Sequence, residues 1–387
     1  MGTHPAQGPT KKPAICFVSP RAYPGLSERT DLEHIGGAEI HQIIVAKELA
    51  RRGYKVSFVT LDYGQQNGAL HDGIRVHKTY SPDSGVPGIR FFHPRLTGLW
   101  RAMSRADADV YYQQNAGTLT GRVAAWCRLR RRRFIYAVAA DPDCQRTLWR
   151  LGKKHERALY CYGLRNADCI VSQTIVQQTL LWKEFKMSST VVRCCTTDPG
   201  PSEHDLTAKT RNPRLLWLGR ITEQKGLDHL LDLAVMCPDF QIDIVGGGNT
   251  GTSSYEERIL SRAKEIPNIT LHGYVPFALV DRYYAMASAL VCTSDWEGYP
   301  STFMEAWSRG IPVVTRWDTD GVVSENGVGI VESDTRMLAV KIRELVASPS
   351  EWLEASRRAR DFFLKNHTVE STADQYERIF QRWFDYE

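Results

Sequence analysis

Short, continuously apolar runs recur along the chain: Ala14 to Ser19, Val56 to Thr60, Ile74 to Thr79, Asp109 to Tyr112, Phe134 to Ala139 and Cys169 to Ser172. After a polar interval they resume at Leu215 to Leu218, Phe240 to Val245, Ile269 to Val275, Ala289 to Thr293, Ile311 to Thr315 and Val328 to Val331. Continuous rather than alternating apolar runs predict strands buried on both faces, as in parallel sheets covered by helices. Helical spacing of apolar residues fills the intervals, at Ile40 to Ala50, Leu96 to Arg105, Leu119 to Arg130, His155 to Asn166, Ile175 to Lys186 and Leu227 to Ala234. Three more helical stretches, Thr335 to Val346, Glu351 to Lys365 and Val369 to Phe384, close the chain. Strand and helix in regular alternation predict an α/β protein.

The interval from Val192 to Arg214 is turn-rich, with Thr196-Thr197-Asp198-Pro199-Gly200-Pro201 and Asn212-Pro213, and reads as a linker. It divides the chain into a first domain over 14–205 and a second over 206–368, with 1–13 as a polar, flexible leader. A length of 387 residues suits two domains, since single cores rarely grow past about 250–300 residues.

Two loops of the second domain carry chemistry. Between the runs at Ala289 and Ile311 stands Glu297-Gly298-Tyr299-Pro300-Ser301-Thr302-Phe303-Met304-Glu305. Pro300 suits the first position of a helix and Gly310 its end, so the helix begins near Tyr299 to Thr302. Its first N–H groups have no internal acceptor and carry partial positive charge, which makes this turn a candidate phosphate site. Glu297 and Glu305 bracket the turn, and carboxylates beside phosphate accept hydrogen bonds from neutral hydroxyls instead. The second loop follows Leu215 to Leu218 and reads Gly219-Arg220-Ile221-Thr222-Glu223-Gln224-Lys225-Gly226. Arg offers a planar fork for two phosphate oxygens and Lys a compact charge. In the first domain, Gly36-Gly37-Ala38-Glu39 stands between a strand and a helix, the arrangement of a Rossmann-like βαβ unit whose ligand edge lies at the strand carboxyl ends.

The E-x7-E loop and the G-R-x4-K-G loop together resemble the donor-binding motifs of the family-4 retaining glycosyltransferases. The resemblance implies a GT-B fold: two Rossmann-like domains facing across a cleft, with the last helix crossing back to the first. It implies a nucleotide-sugar donor held by the second domain, with Glu297 on the sugar and Glu305 on the ribose. Gly298, Tyr299, Pro300, Ser301 and Thr302 would hold the diphosphate, and Arg220 and Lys225, beside Gly219, would stabilise it as it leaves. Main-chain groups of Tyr274 and Val275 would abut the nucleobase. Gly36 and Gly37 would face the donor phosphates and a glycan, lipid-linked or small-molecule acceptor. Many family members carry a His-Asp pair at the strand end near 140. This chain has Ala140 and keeps Asp141, so no histidine is assigned as a base.

Two D-x-D pairs, Asp141/Asp143 and Asp318/Asp320, imitate a metal signature, but cations on Arg220 and Lys225 make a metal unnecessary to neutralise a diphosphate. No cofactor is therefore expected. Nine cysteines without any C-x-x-C pair fit a reduced, cytoplasmic chain. The net charge of +5 is uneven: 15 Lys and Arg against 5 Asp and Glu lie between Phe91 and Asn166, with Arg128 and Arg130 to Arg133 nearly continuous. That patch would attract an anionic membrane face, giving a peripheral protein. Two other readings stay open. Gly246, Gly248 and Gly251 imitate a dinucleotide fingerprint of an NAD(P)-dependent oxidoreductase, without the acidic residue that should follow. The Arg128 to Arg133 patch could alternatively serve a non-catalytic anion- or nucleic-acid-binding module, although no nucleic acid is expected as a partner.

Overall fold

A computed structural model describes residues 12–29, 36–86, 89–201, 209, 211–247, 253–276 and 279–384. The leader falls almost wholly outside them, as do Gly248 and Gly251. The chain forms two compact units, one of Met1–Cys194 with Val369–Glu387 and one of Cys195–Thr368.

In the first unit the apolar runs become β1 (Ile15–Val18), β2 (Val56–Thr60), β4 (Ile74–Lys78), β5 (Val110–Gln114), β6 (Arg133–Ala137) and β7 (Cys169–Ser172). Two short strands, β3 (Leu70–His71) and β8 (Thr190–Val191), extend the sheet at its two sides, giving the order β3-β4-β2-β1-β5-β6-β7-β8. Every pairing is parallel except β3 with β4. The core centres on Tyr111, Trp126, Phe134, Tyr136 and Tyr160.

In the second unit β9 (Arg214–Leu218), β10 (Gln241–Val245), β11 (Ile269–Gly273), β12 (Ala289–Cys292), β13 (Val313–Thr315) and β14 (Gly329–Val331) pair in the order β11-β10-β9-β12-β13-β14, all parallel. This is the doubly wound order, with a topological switch between β9 and β12, where open α/β sheets bind ligands beyond the strand carboxyl ends. Trp217, Leu230, Leu231, Ile242 and Ile259 anchor its core.

The division between units falls at Cys194, earlier than the 205/206 boundary expected from composition. Residues just after it already belong to the second unit: the Thr196 amide donates to the His367 carbonyl at 3.3 Å, and Asp198 pairs with Arg360 at 2.6 Å. A turn-rich texture therefore marks the linker but does not say which side it packs on.

The helix Val369–Phe380 belongs to the first unit. Arg52 reaches from the helix Gly37–Arg51 to Asp374 at 2.6 Å and Glu377 at 2.5 Å, while also pairing with Glu48 at 2.7 Å. Beneath these ion pairs Tyr376 is buried edge-on against Tyr112, with ring centroids 5.8 Å apart. Truncating a large buried aromatic costs about 3–5 kcal/mol. Tyr376→Ala is accordingly expected to lower unfolding stability by about that amount in denaturant titration; a loss below about 1 kcal/mol would mean that the last helix contributes little to the first unit.

Candidate active site

The two loops singled out in the second unit leave adjacent strands at the switch point, β9 and β12, and the chain fastens them together. Thr293 Oγ1 donates to the Lys225 carbonyl at 2.8 Å, the Asp295 amide to the Gln224 carbonyl at 3.0 Å, and Gln224 Nε2 to the Trp296 carbonyl at 2.8 Å. Gly226 makes the approach feasible: its φ is +57°, and a Cβ there would stand 2.3 Å from the Thr293 carbonyl oxygen. Gly246 does the same one strand away. Its φ is +135°, and a Cβ would meet the Gly219 oxygen at 1.8 Å. The glycine that opened the dinucleotide-like pattern thus has a packing reason to be glycine.

Across this seam Lys225 Nζ lies 2.5 Å from Glu297 Oε1, which also accepts from Ser294 Oγ at 2.6 Å. Glu297 is only 9% exposed, so these donors offset the cost of burying its carboxylate. The cation and the carboxylate expected to act on separate parts of a ligand are therefore one hydrogen-bonded unit. Lysine carries three donors, so two remain on Lys225. Glu297 Oε2 has no hydrogen bond among the described residues. Arg220 is exposed on the same loop and, among the described residues, has neither an ion-pair nor a hydrogen-bond partner.

The helix begins at Ser301 and ends at Ser308, with Pro300 in the capping position in extended conformation (φ −64°, ψ 118°) rather than inside the first turn. Proline's fixed φ fits either place, and here the ψ that aligns the loop decides. Gly298 is buried with its neighbours, and the backbone leads to the half-buried Ser301 and Thr302, whose N–H groups precede any intrahelical acceptor. The Tyr299 ring turns back into the core, where its hydroxyl meets His367 Nε2 at 2.7 Å and His367 stacks on Trp307. Sequence reading missed His367, which stands 68 residues away.

Glu305 is 5% exposed, and its Oε2 accepts from Tyr284 Oη at 2.9 Å. Burial pushes its carboxyl above the usual glutamate range, opposed by the hydroxyls of Tyr284 and Ser301 and the charge of Arg309. Tyr284 was also missed, since nothing in Asp281–Met286 announces a partner for Glu305. Tyr274 is exposed and Val275 half-buried just beyond β11. Two strand spacings, about 10 Å, separate β11 from β9, which is nucleoside scale.

Gly36, Gly37 and Asp141 belong to the first unit. Gly36 precedes the helix Gly37–Arg51 in extended conformation, and Asp141 follows β6 and accepts from Gln177 Nε2 at 3.1 Å. In the D-x-D pairs, Asp143 is buried beside Arg150 at 3.2 Å, and Asp318 caps the helix Val322–Asn326 through the amides of Val323 and Ser324. Two of the five arginines of the expected basic patch have acidic partners, while Arg128, Arg130 and Arg131 are exposed and form no ion pair among the described residues. Arg132 pairs with Asp107 and Asp109 at 2.6 and 3.0 Å, Arg133 with Asp168 at 2.8 Å, and Arg128 bonds Asn166 at 2.6 Å. The nine cysteines are free, and no helix among the described residues is long and apolar enough to cross a membrane.

The model of the glycosyl transferases group 1 family matches residues 202–362, and that of glycosyltransferase family 4 matches residues 35–195. The two matches divide where the two units do. Sucrose-phosphate synthase from Thermosynechococcus elongatus has the same fold, with a TM-score of 0.78 at 20% identity over 96% of this chain and 99% of that one. The chain is a family-4-like GT-B glycosyltransferase. This glycosyltransferase is 22% identical over 355 residues to an uncharacterized glycosyltransferase of Haemophilus influenzae, covering 89% of its own length and 96% of the relative's. Its fold also matches Anabaena HepE, solved in complex with UDP-glucose, with a TM-score of 0.76 at 15% identity over 96% of this chain and 100% of that one.

The environment of Glu305 has a pH signature. A carboxyl whose folded pKa is raised binds a proton more tightly in the folded state, so stability falls as pH rises from the ordinary value, 4.5, through the raised one. Glu305→Gln removes that dependence. The difference in melting temperature between the variant and the parent glycosyltransferase should therefore shift in the variant's favour as pH is raised from about 4 to about 7; a shift in the opposite sense would mean that the donors around Glu305 outweigh its burial.

Proposed function

We propose that this glycosyltransferase moves a hexosyl group from a nucleoside-diphosphate sugar to a glycan, lipid-linked or small-molecule acceptor, with retention at the anomeric carbon and without an essential metal. The observation that carries the reading is the seam at the switch point, which sets Lys225, Glu297 and the start of the Ser301 helix on one edge. The bond between the anomeric carbon and the diphosphate breaks, and the acceptor oxygen bonds to the same face of that carbon and passes its proton to the freed oxygen of the departing diphosphate. Positive charge develops on the sugar ring and negative charge on the departing diphosphate. Arg220, the two remaining donors of Lys225 and the amides of Tyr299 to Thr302 are the groups suited to the second charge. Glu297 Oε2 accepts from a sugar hydroxyl, Glu305 takes ribose hydroxyls, and backbone groups at Tyr274 and Val275 read the base. The UDP-glucose bound by Anabaena HepE supports a nucleotide-sugar donor. With Ala140 where many family members have histidine, no side chain of this strand end is assigned as a base.

The test is a panel of nucleotide-sugars assayed for nucleoside diphosphate release, with and without acceptors. One or more donors should turn over, and Lys225→Ala should lower turnover by about 10²–10³, the cost of removing one preorganised donor. Near-parental turnover of Lys225→Ala with every active donor would remove Lys225 from the chemistry. Glu297→Gln is expected to reduce turnover more than nucleoside diphosphate affinity, and the reverse pattern would take Glu297 off the sugar.

A further inference from the structure

The surface between β4 and the helix Thr97–Ala106, at the outer side of the first unit's sheet, combines a cavity with arginines that form no ion pair among the described residues. The cavity is about 490 Å³ and is lined mainly by apolar groups, among them Tyr80, Val86, Ile89, Pro94 and Gly98, with Arg101 at its margin. Val86, Ile89 and Phe92 are each more than 60% exposed in one short stretch, an arrangement a soluble surface rarely leaves uncovered.

The same stretch is cationic. Between Thr79 and Ala106 stand Arg90, Arg95, Arg101 and Arg105 against a single acid, Asp83. A fifth arginine joins them from the helix Thr118–Arg130. Arg122 lies over the Phe91 ring at 5.0 Å, its backbone carbonyl accepts from Trp100 Nε1 at 3.1 Å, and its guanidinium bonds the Thr118 side chain. Among the described residues none of these five arginines forms an ion pair; on the Arg128 to Arg133 patch two of five do, and no residue of that patch lines the apolar cavity. Arg95 Nε is buried without a hydrogen-bond acceptor. Burial pushes the Arg122 guanidinium below its usual range, opposed by the Tyr80 hydroxyl and reinforced by the charge of Arg95. Arg95 and Arg122 are half-buried, where a guanidinium without an acidic partner is costly unless an anion completes it, and Arg90, Arg101 and Arg105 are exposed to an incoming anion.

The place in the fold is also informative. β4, β2 and β1 are neighbours and parallel, so the chain leaves β4 at the same sheet edge at which it leaves β1 toward the Gly36-Gly37 helix start, the two strands being about 10 Å apart.

We propose that this surface binds a lipid phosphate, its apolar chain in the cavity and its phosphate on the unpaired arginines, as the carrier of the acceptor. The role as acceptor carrier rests on the glycosyl-transfer reading above; binding of the lipid phosphate does not. An apolar cavity beside unpaired guanidinium groups fits a molecule with both an apolar chain and a phosphate, and a soluble sugar phosphate would leave the apolar lining unused.

The test uses the full chain and phosphatidylcholine vesicles with and without a few mole percent polyprenyl phosphate, read by co-sedimentation. The protein should sediment only with the doped vesicles. Arg101→Glu, and separately the pair Ile89→Asp with Phe92→Asp, should reduce that binding by about tenfold or more, while nucleoside diphosphate release from the donor in water stays unchanged, which also shows that the variants are folded. Equal binding to vesicles doped with phosphatidylglycerol would overturn the proposal in favour of a general anionic surface. Complete displacement by an equimolar hexose phosphate, or binding of polyuridylate at the same residues without lipid uptake, would overturn it as well. If the parent protein released no nucleoside diphosphate from any donor, the proposed transfer would fall while the sedimentation result kept its own meaning.

Discussion

The ion pair between Lys225 and Glu297 is the contact on which the second unit's ligand edge depends. A buried carboxylate is costly unless it is paired and hydrogen-bonded, and Lys225 and Ser294 supply those contacts at 2.5 and 2.6 Å. In return the two loops are drawn together closely enough that Gly226 has no space for a side chain against the Thr293 carbonyl. Cation, carboxylate and helix start then occupy fixed positions before any ligand arrives, and preorganisation of this kind is where most electrostatic catalysis originates.

The sheet decides where such a seam can form. Parallel strands release all their loops at one edge, and the order β11-β10-β9-β12-β13-β14 makes β9 and β12 neighbours although they are distant in sequence. The helices on either side of that switch diverge, which leaves room for a ligand. The first unit repeats the logic around β1 and β5, and the surface after β4 opens at the same edge of its sheet.

Much of this was legible in the sequence because buried parallel strands are nearly pure apolar runs and both loops announce themselves by residue type. Edge strands β3 and β8 were not, since two-residue strands leave no periodic signal. Tyr284, Ser294 and His367 escaped notice for a related reason: each matters through one partner, and sequence shows residue types without their partners. In the arginine run at Arg128 to Arg133 the letters likewise do not show that Asp107, Asp109 and Asp168 partner Arg132 and Arg133 alone, while the scattered Arg90, Arg95, Arg101 and Arg105 look unremarkable as letters and have no acidic partner among the described residues.

The seam as a nucleoside-diphosphate site is the claim from which the rest follows, and backbone hydrogen exchange tests it without depending on the acceptor. On addition of saturating UDP or GDP, whichever raises the melting temperature, amides of Gly219 to Gly226 and of Glu297 to Thr302 should become the most strongly protected in the chain. Protection concentrated elsewhere, with these two loops unchanged, would contradict the account.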